Sequence, residues 1–89
     1  MTSQAERLLR ALLVELNAEF GDGEFMVSEG LELLEVQALL SEMGGKINDS
    51  SLGCRLGIAM RRGAIPEFEI TKRPKPGTGG LHAWVVREI

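Results

Sequence analysis

The sequence has few of the residue types from which disulfides, metal sites and aromatic binding surfaces are built. Among 89 residues it has one cysteine, one histidine, one tryptophan, three phenylalanines and no tyrosine. A lone cysteine cannot form an internal disulfide, and Cys54 and His82 do not have the spacing of metal ligands. So few aromatics argue against a surface on which nucleic-acid bases stack. We therefore predict no metal, no cofactor and a core of mainly aliphatic side chains.

Long hydrophobic runs are also missing. No apolar stretch approaches the ~18 residues that cross a bilayer, and the first ten residues lack the basic and apolar regions of a signal peptide. We expect a cytoplasmic protein that makes no membrane contact. With 44% hydrophobic residues in 89, the chain has room for one core. We predict a single domain over residues 1–89.

A recognisable catalytic signature is missing as well, although carboxylates are plentiful at Glu29, Glu32, Glu35 and Glu42. The only histidine and the only cysteine fall on different predicted elements, without the signature of a nucleophile and its base. The segment GDGEF, residues 21–25, lacks the lysine of a P-loop and the spacing of a calcium loop. We therefore predict a binding protein and not an enzyme.

Charge is distributed unevenly along the chain, whose net charge is −3. Residues 1–49 carry three cations and ten acids, a charge of −7, whereas residues 50–89 carry seven cations and three acids, a charge of +4. Such asymmetry is typical of a domain whose basic half meets a polyanion while its acidic half faces solvent or a protein. A chance distribution of surface charge is the simpler alternative.

Apolar periodicity predicts three helices. Ser3 followed by Glu6 is a capping-box pattern, and helix one should cover about residues 3–20. Helix two is predicted over residues 29–45, which end in a glycine pair. Helix three is predicted over residues 50–63, with Asp49, Ser50 or Ser51 as N-cap and Gly63 at its end. The connection GGKIND between the last two helices suits the turn of a helix-turn-helix.

The apolar stripes predict which helix faces enter the core. Leu13 and Val14 lie outside the main stripe of helix one, which leaves open a homodimer through that helix. Gly53 and Gly57 of helix three are expected to pack it against helix two, with close approach of a partner backbone as the alternative. The stripes consist of Ala5, Leu8, Leu9, Leu12, Leu16 and Phe20 in helix one, Leu31, Leu34, Val36, Leu39, Leu40 and Met43 in helix two, and Leu52, Leu56, Ala59 and Met60 in helix three.

After Pro66 the hydrophobic period changes to two, which is typical of strands. EFEIT and LHAWVV flank the turn-rich segment KRPKPGTGG, residues 72–80, and together they predict an antiparallel hairpin with a long tip. Trp84 is predicted to anchor this hairpin in the core, and His82 to lie at the surface or in the framework of the hairpin. EFMVS, residues 24–28, could add a brief strand. The predicted class is α+β, with three helices, a short strand and a C-terminal β-hairpin.

The run SSLGCRLGIAMRRG, followed by FEITKRPKPGTGGLHAWVVREI, resembles the winged helix-turn-helix domains of bacterial, phage and mobile-element regulatory or replication proteins. In that family a Leu-Gly-x-x-Leu helix precedes a basic hairpin, the wing, that closes on a tryptophan. The resemblance covers about residues 24–89. It implies that helix three enters the major groove of DNA, that the wing contacts phosphates or the minor groove, and that no catalysis occurs. The acidic helix two and the proline-containing wing tip depart from the commonest pattern.

The outer positions of helix three and of the hairpin supply the predicted DNA contacts. Arginine can bind a guanine edge or a phosphate, and isoleucine can touch a thymine methyl group. A basic hairpin tip suits a phosphate backbone or a narrow minor groove. The arginines could instead form a solvated helix face, and Lys and Pro at the tip could serve to prevent strand pairing. The predicted DNA-binding residues are Ser51, Arg55, Ile58, Arg61, Arg62, Lys72, Arg73 and Lys75.

Two classes of function therefore stay open. The first is a protein that binds double-stranded DNA as a small transcriptional regulator or replication accessory factor, as a dimer or beside a partner. The second is a protein-interaction winged helix, an assembly subunit or an inhibitor, whose acidic face binds a basic protein. Binding of RNA is a third alternative. The basic C-terminal part favours the first class, and the net negative charge favours the second.

Overall fold

A computed structural model describes residues 3–63, 65–74 and 82–89, and these residues form four helices and three strands. The predicted α+β class is confirmed. Of the predicted hairpin tip, residues 72–74 continue a strand, and residues 75–80, which include Lys75, lie outside the described residues. The elements are α1 (Gln4–Phe20), β1 (Phe25–Met26), α2 (Val27–Gly30), α3 (Leu34–Glu42), α4 (Asp49–Arg62), β2 (Phe68–Pro74) and β3 (His82–Glu88).

The strands of the described residues form one antiparallel sheet in the order β1-β3-β2. Trp84, in the central strand, lies opposite Phe25 of β1 and Lys72 of β2. The two C-terminal strands pair from Phe68 opposite Glu88 to Pro74 opposite His82. The predicted hairpin strands and the brief strand near residue 25 are therefore both confirmed.

The hydrophobic core lies between the helices and one face of the sheet. Helix α1 packs against α3 and β3, and α4 packs against β2. The predicted anchoring role of Trp84 is confirmed, because this side chain is only 4% exposed. The side chain of Asn17 joins α1 to the central strand, since its Nδ2 donates to the Val86 carbonyl at 2.8 Å. The largest fully buried side chains are Phe25, Leu12, Leu13, Leu16, Leu40, Leu52, Leu56, Val36 and Val86.

Helix α1 begins as predicted, with Ser3 Oγ accepting the Glu6 N–H at 3.2 Å. Its buried face differs from the prediction, because Leu13 is fully buried whereas Ala5 is exposed. The helix contacts both α3 and β3, so a wider arc of its surface enters the core. Leu13 and Val14 were the two residues that suggested a homodimer, and only Val14 is exposed.

The predicted helix two is divided into α2 and α3. A tight turn separates them, in which the Leu33 N–H donates to the Gly30 carbonyl at 3.2 Å. Gly30 is buried, and a Cβ added there would lie 3.1 Å from Leu52 and 3.2 Å from Leu16. Because α2 packs against α4 while α3 packs against α1, one straight helix could not make both contacts. Leu34, predicted to face the core, is 77% exposed at the start of α3.

The predicted helix three is α4. Its N-cap is Asn48, whose Oδ1 accepts the Ser51 N–H at 2.8 Å, so the prediction of Asp49, Ser50 or Ser51 as the cap is wrong. Gly63 ends the helix as predicted, with the left-handed φ of 58° that favours glycine. The predicted inward stripe is confirmed except at Met60, which lies at its edge and is 37% exposed.

Candidate nucleic-acid interface

Helix α4 has a buried face, an outward face and a flank that is directed toward α1 and α3. Because each residue turns the helix by about 100°, positions separated by three or four residues share a face. The five predicted contacts of α4 are thereby divided, since four of them lie on the flank and Arg61 lies on the outward face. The flank carries Ser51, Arg55, Ile58 and Arg62, and the outward face carries Ser50, Cys54, Gly57 and Arg61.

The flank of α4 forms one wall of a groove of about 680 Å³, whose other walls are the start of α1 and the end of α3. Arg55, Ile58 and Arg62 all line this groove, but no described residue of the hairpin does. Arg55 is half-buried, and its Nη2 donates to the Met43 carbonyl at 3.4 Å. This bond is long, and it links α4 to the carbonyl end of α3.

Gly53 and Gly57 leave the backbone of α4 open to solvent. A Cβ added at Gly53 would meet nothing within 4 Å, and one added at Gly57 would meet only the Arg61 guanidinium at 4.0 Å. The prediction that these glycines pack helix three against helix two is therefore wrong. A glycine inside a helix costs about 0.5–1 kcal/mol relative to alanine. Within the described part of the chain, no close contact at either glycine offsets this cost.

The N-terminal half of α4 shares a cleft of about 260 Å³ with the hairpin. Lys72 is exposed beside this cleft, with its Nζ 5.6 Å from the centre of the Trp84 ring. Of the residues that line this cleft, only Lys72 was among the predicted DNA contacts. The two-residue period of the strand could have indicated the cleft, because it places Lys72 on the same face as Ile70. The lining residues are Val27, Asp49, Ser50, Gly53, Lys72, His82 and Trp84.

Arg73 lies on the other face of the sheet from Lys72, since neighbouring strand residues point in opposite directions. Its Nη1 donates to Glu24 Oε1 at 3.1 Å, and both side chains are partly exposed. Lys72 and Arg73 therefore do not form one basic patch, although the sequence places them side by side. Lys75, the third predicted contact of the hairpin, is outside the residues that the structure describes.

A second ion pair joins α1 to the segment that precedes β2. Arg10 Nε donates to Glu67 Oε2 at 2.6 Å. This hydrogen bond, together with the attraction between the charges, lowers the pKa of Glu67 and raises that of Arg10. Neither residue lines the cleft or the groove, so the ion pair serves the fold and not the candidate interface.

Comparisons of this chain with protein-family models, with curated proteins and with solved structures give no match. Over residues 3–63, 65–74 and 82–89, no group of three or more His, Cys, Asp or Glu side chains is placed to hold a metal ion. No helix in the described part of the chain combines the length and the apolar character that crossing a membrane requires.

Proposed function

We propose that this chain is a winged helix-turn-helix domain that binds double-stranded DNA. The arrangement of its elements supports the proposal, because a short strand that follows the first helix pairs with the last strand of a C-terminal hairpin. In this interpretation α3 and α4 are the helix-turn-helix, and β2 and β3 are the wing. The connection between the two helices contains Gly44, whose φ of 79° allows a sharp change of direction.

The cleft between α4 and the hairpin carries the proposal. It joins Ser50 and Gly53 of the helix to Lys72 and His82 of the hairpin. A DNA duplex lying along the outward face of α4 would therefore also meet the hairpin, at the end of its strands where Pro74 pairs with His82. The major groove, about 12 Å wide, admits an α-helix. The open backbone at Gly53 and Gly57 would allow α4 to lie close to the floor of the groove.

The position of each cation suggests its role. Arg61, on the outward face, is the best placed to bind a base edge or a phosphate. Lys72 would contact a phosphate from the hairpin side. Arg62 and Ile58, on the flank, would meet only the rim of the duplex. Arg55 is proposed as a positioning residue, because its bond to the Met43 carbonyl links α4 to the end of α3.

Salt dependence of binding tests the proposal. Fluorescence anisotropy with a labelled duplex of random sequence should show an affinity that falls with salt, with a slope of about −0.9 per phosphate contact. Replacing both Arg61 and Lys72 by glutamine should flatten the slope by about 1.8 if each makes one contact. A parent protein that does not bind duplex DNA at low salt would overturn the proposal. Tighter binding to an RNA of the same sequence would identify RNA as the ligand.

Binding of a basic protein partner is a second candidate, which one feature of α3 favours. Leu34 is 77% exposed and stands beside Glu35, in the half of the chain that carries a charge of −7. An exposed leucine among acids suits a basic segment that also has an apolar side chain. A Leu34→Ser variant separates the two functions, because it should bind DNA as the parent does. Unchanged affinity for a basic amphipathic peptide in that variant would contradict the second function.

A further inference from the structure

The groove between α1, α3 and α4 has the size and the lining of a ligand site. Its volume of about 680 Å³ lies within the range of roughly 300–1,000 Å³ that is typical of small-molecule sites. Three helices contribute to it, so residues far apart in the sequence meet there. Its apolar lining includes Leu8, Leu9, Met43 and Ile58, and its cations are Arg55 and Arg62.

The two arginines of the groove retain hydrogen-bond donors. Arg55 uses one nitrogen, Nη2, in its bond to the Met43 carbonyl, and a guanidinium has five N–H groups. Arg62 is exposed and takes part in neither of the ion pairs recorded among the described residues. Positions 55 and 62 lie two helical turns apart on the same flank, with Ile58 between them. An occupant could therefore meet two cations and an apolar surface together.

Two acids, Glu6 and Glu42, also line the groove. Both acids are exposed, whereas Arg55 is half-buried. Glu42 stands at the end of α3, on the side of the groove that faces α4. Of the four charged side chains that line the groove, Arg55 alone is half-buried, so a site for an anion is favoured over a site for a cation.

We propose that this groove binds an amphipathic organic anion, in which a carboxylate contacts Arg55 and Arg62 and an aliphatic body covers the apolar lining. A guanidinium suits this ligand because its N–H groups form two parallel bonds with a carboxylate. The site overlaps the proposed DNA-binding surface only at Ile58 and Arg62, which would meet the rim of the duplex, and binding there does not depend on DNA. An occupant would nevertheless touch the flank of α4, the helix that we propose enters the DNA.

Three probes with the same aliphatic chain and different head charges test the proposal. Octanoate, octanol and octylamine are titrated, below the concentrations at which they aggregate, into isotopically labelled protein without DNA. The shifts of backbone amide signals are followed by NMR. Octanoate should bind most tightly and should shift signals of the groove residues. Octanol should bind more weakly at the same place, and octylamine should bind most weakly.

The adjacent arginines of α4 provide a matched pair of variants. Arg62→Gln removes a cation from the groove, whereas Arg61→Gln removes one from the outward face. Arg62→Gln should weaken octanoate binding roughly three- to tenfold, the range expected for a partly exposed charged hydrogen bond, and leave octanol binding unchanged. Arg61→Gln should change neither affinity. Both positions are exposed, so both variants should fold.

Several results would overturn the proposal. Octylamine that binds as tightly as octanoate would mean that the acids dominate the groove. Equal losses in the two arginine variants would mean that octanoate senses only the general surface charge. The absence of shifts with all three probes would mean that the groove does not bind aliphatic chains. A parent that binds octanoate but no duplex would overturn only the DNA-binding proposal.

Discussion

The ammonium group of Lys72 lies 5.6 Å from the centre of the Trp84 ring, directly across the hairpin. A cation near an aromatic face gains about 0.5–1 kcal/mol at an exposed site. Trp84 is buried, and it also lies opposite Phe25 in the first strand. The residue that holds the sheet against the helices therefore also holds the hairpin cation that we propose contacts DNA.

Loss of the tryptophan ring should severely destabilise the domain. Trp84→Ala removes a buried aromatic side chain, which typically costs ~3–5 kcal/mol. A small domain has a total stability of only about 5 kcal/mol, so roughly 0–2 kcal/mol should remain, and up to about half of the protein should be unfolded at room temperature. Thermal denaturation followed by circular dichroism measures the effect. Trp84→Phe, which keeps an aromatic ring, should lose less, and an unchanged melting temperature in the alanine variant would contradict the burial of this residue.

Filling the open face of α4 should have opposite effects on stability and on DNA binding. Gly53→Ala introduces a Cβ that meets nothing, so the free protein should gain about 0.5–1 kcal/mol of stability. If the surface of α4 around Gly53 lies in the major groove, the same methyl group should weaken duplex binding by about 1 kcal/mol or more, which is a loss of affinity of roughly fivefold or more. Urea unfolding and anisotropy on the same samples measure both quantities.

The buried Gly30 provides the control for this experiment. A Cβ at Gly30 would press on Leu52 and Leu16, so Gly30→Ala should lower stability, by about 1–3 kcal/mol. The comparison separates a glycine that is needed by the core from one that is open to a partner. A Gly53→Ala variant that is more stable and binds DNA as the parent does would exclude the surface around Gly53 from the DNA interface.

Lys72 and Arg73 should differ in their effects on DNA binding although they are neighbours. Lys72→Ala should flatten the dependence of log K on log salt by about 0.9, because one phosphate contact is lost. Arg73→Ala should change the slope less, since Arg73 already pairs with Glu24 on the other face of the sheet. Titrations of both variants with one duplex over one range of salt decide the matter. The reverse order would place the DNA on the opposite face of the hairpin.

The ion pair between Arg10 and Glu67 should make stability depend on pH in the acidic range. Because the pKa of Glu67 is lowered in the folded protein, its contribution is fully present above about 4.3, the usual value of an unfolded glutamate. This contribution is lost as the pH falls through the lower folded value. The melting temperature of the parent should therefore exceed that of Glu67→Gln at neutral pH, and the difference should vanish in acid. A constant difference across the pH range would contradict the assigned pair.

Local chemistry determined much of the secondary structure from the sequence alone. The start of α1 follows from Ser3 and Glu6, and the end of α4 follows from Gly63, because capping involves only neighbouring residues. The strands of the hairpin follow from the two-residue alternation after Pro66. The burial of Trp84 was likewise predictable from its apolar neighbours in the last strand.

Only the tertiary structure decided how these elements meet. The division of the predicted helix two depends on Gly30 lying against Leu52 and Leu16, and the partner of Arg73 lies 49 residues away in sequence. Helical periodicity gives the angle between two side chains on one helix, but which neighbouring element each side chain faces depends on packing. For that reason the sequence grouped Arg55, Ile58 and Arg62 with Lys72, whereas the structure places the first three in a groove with α1 and places Lys72 in the cleft at the other side of α4.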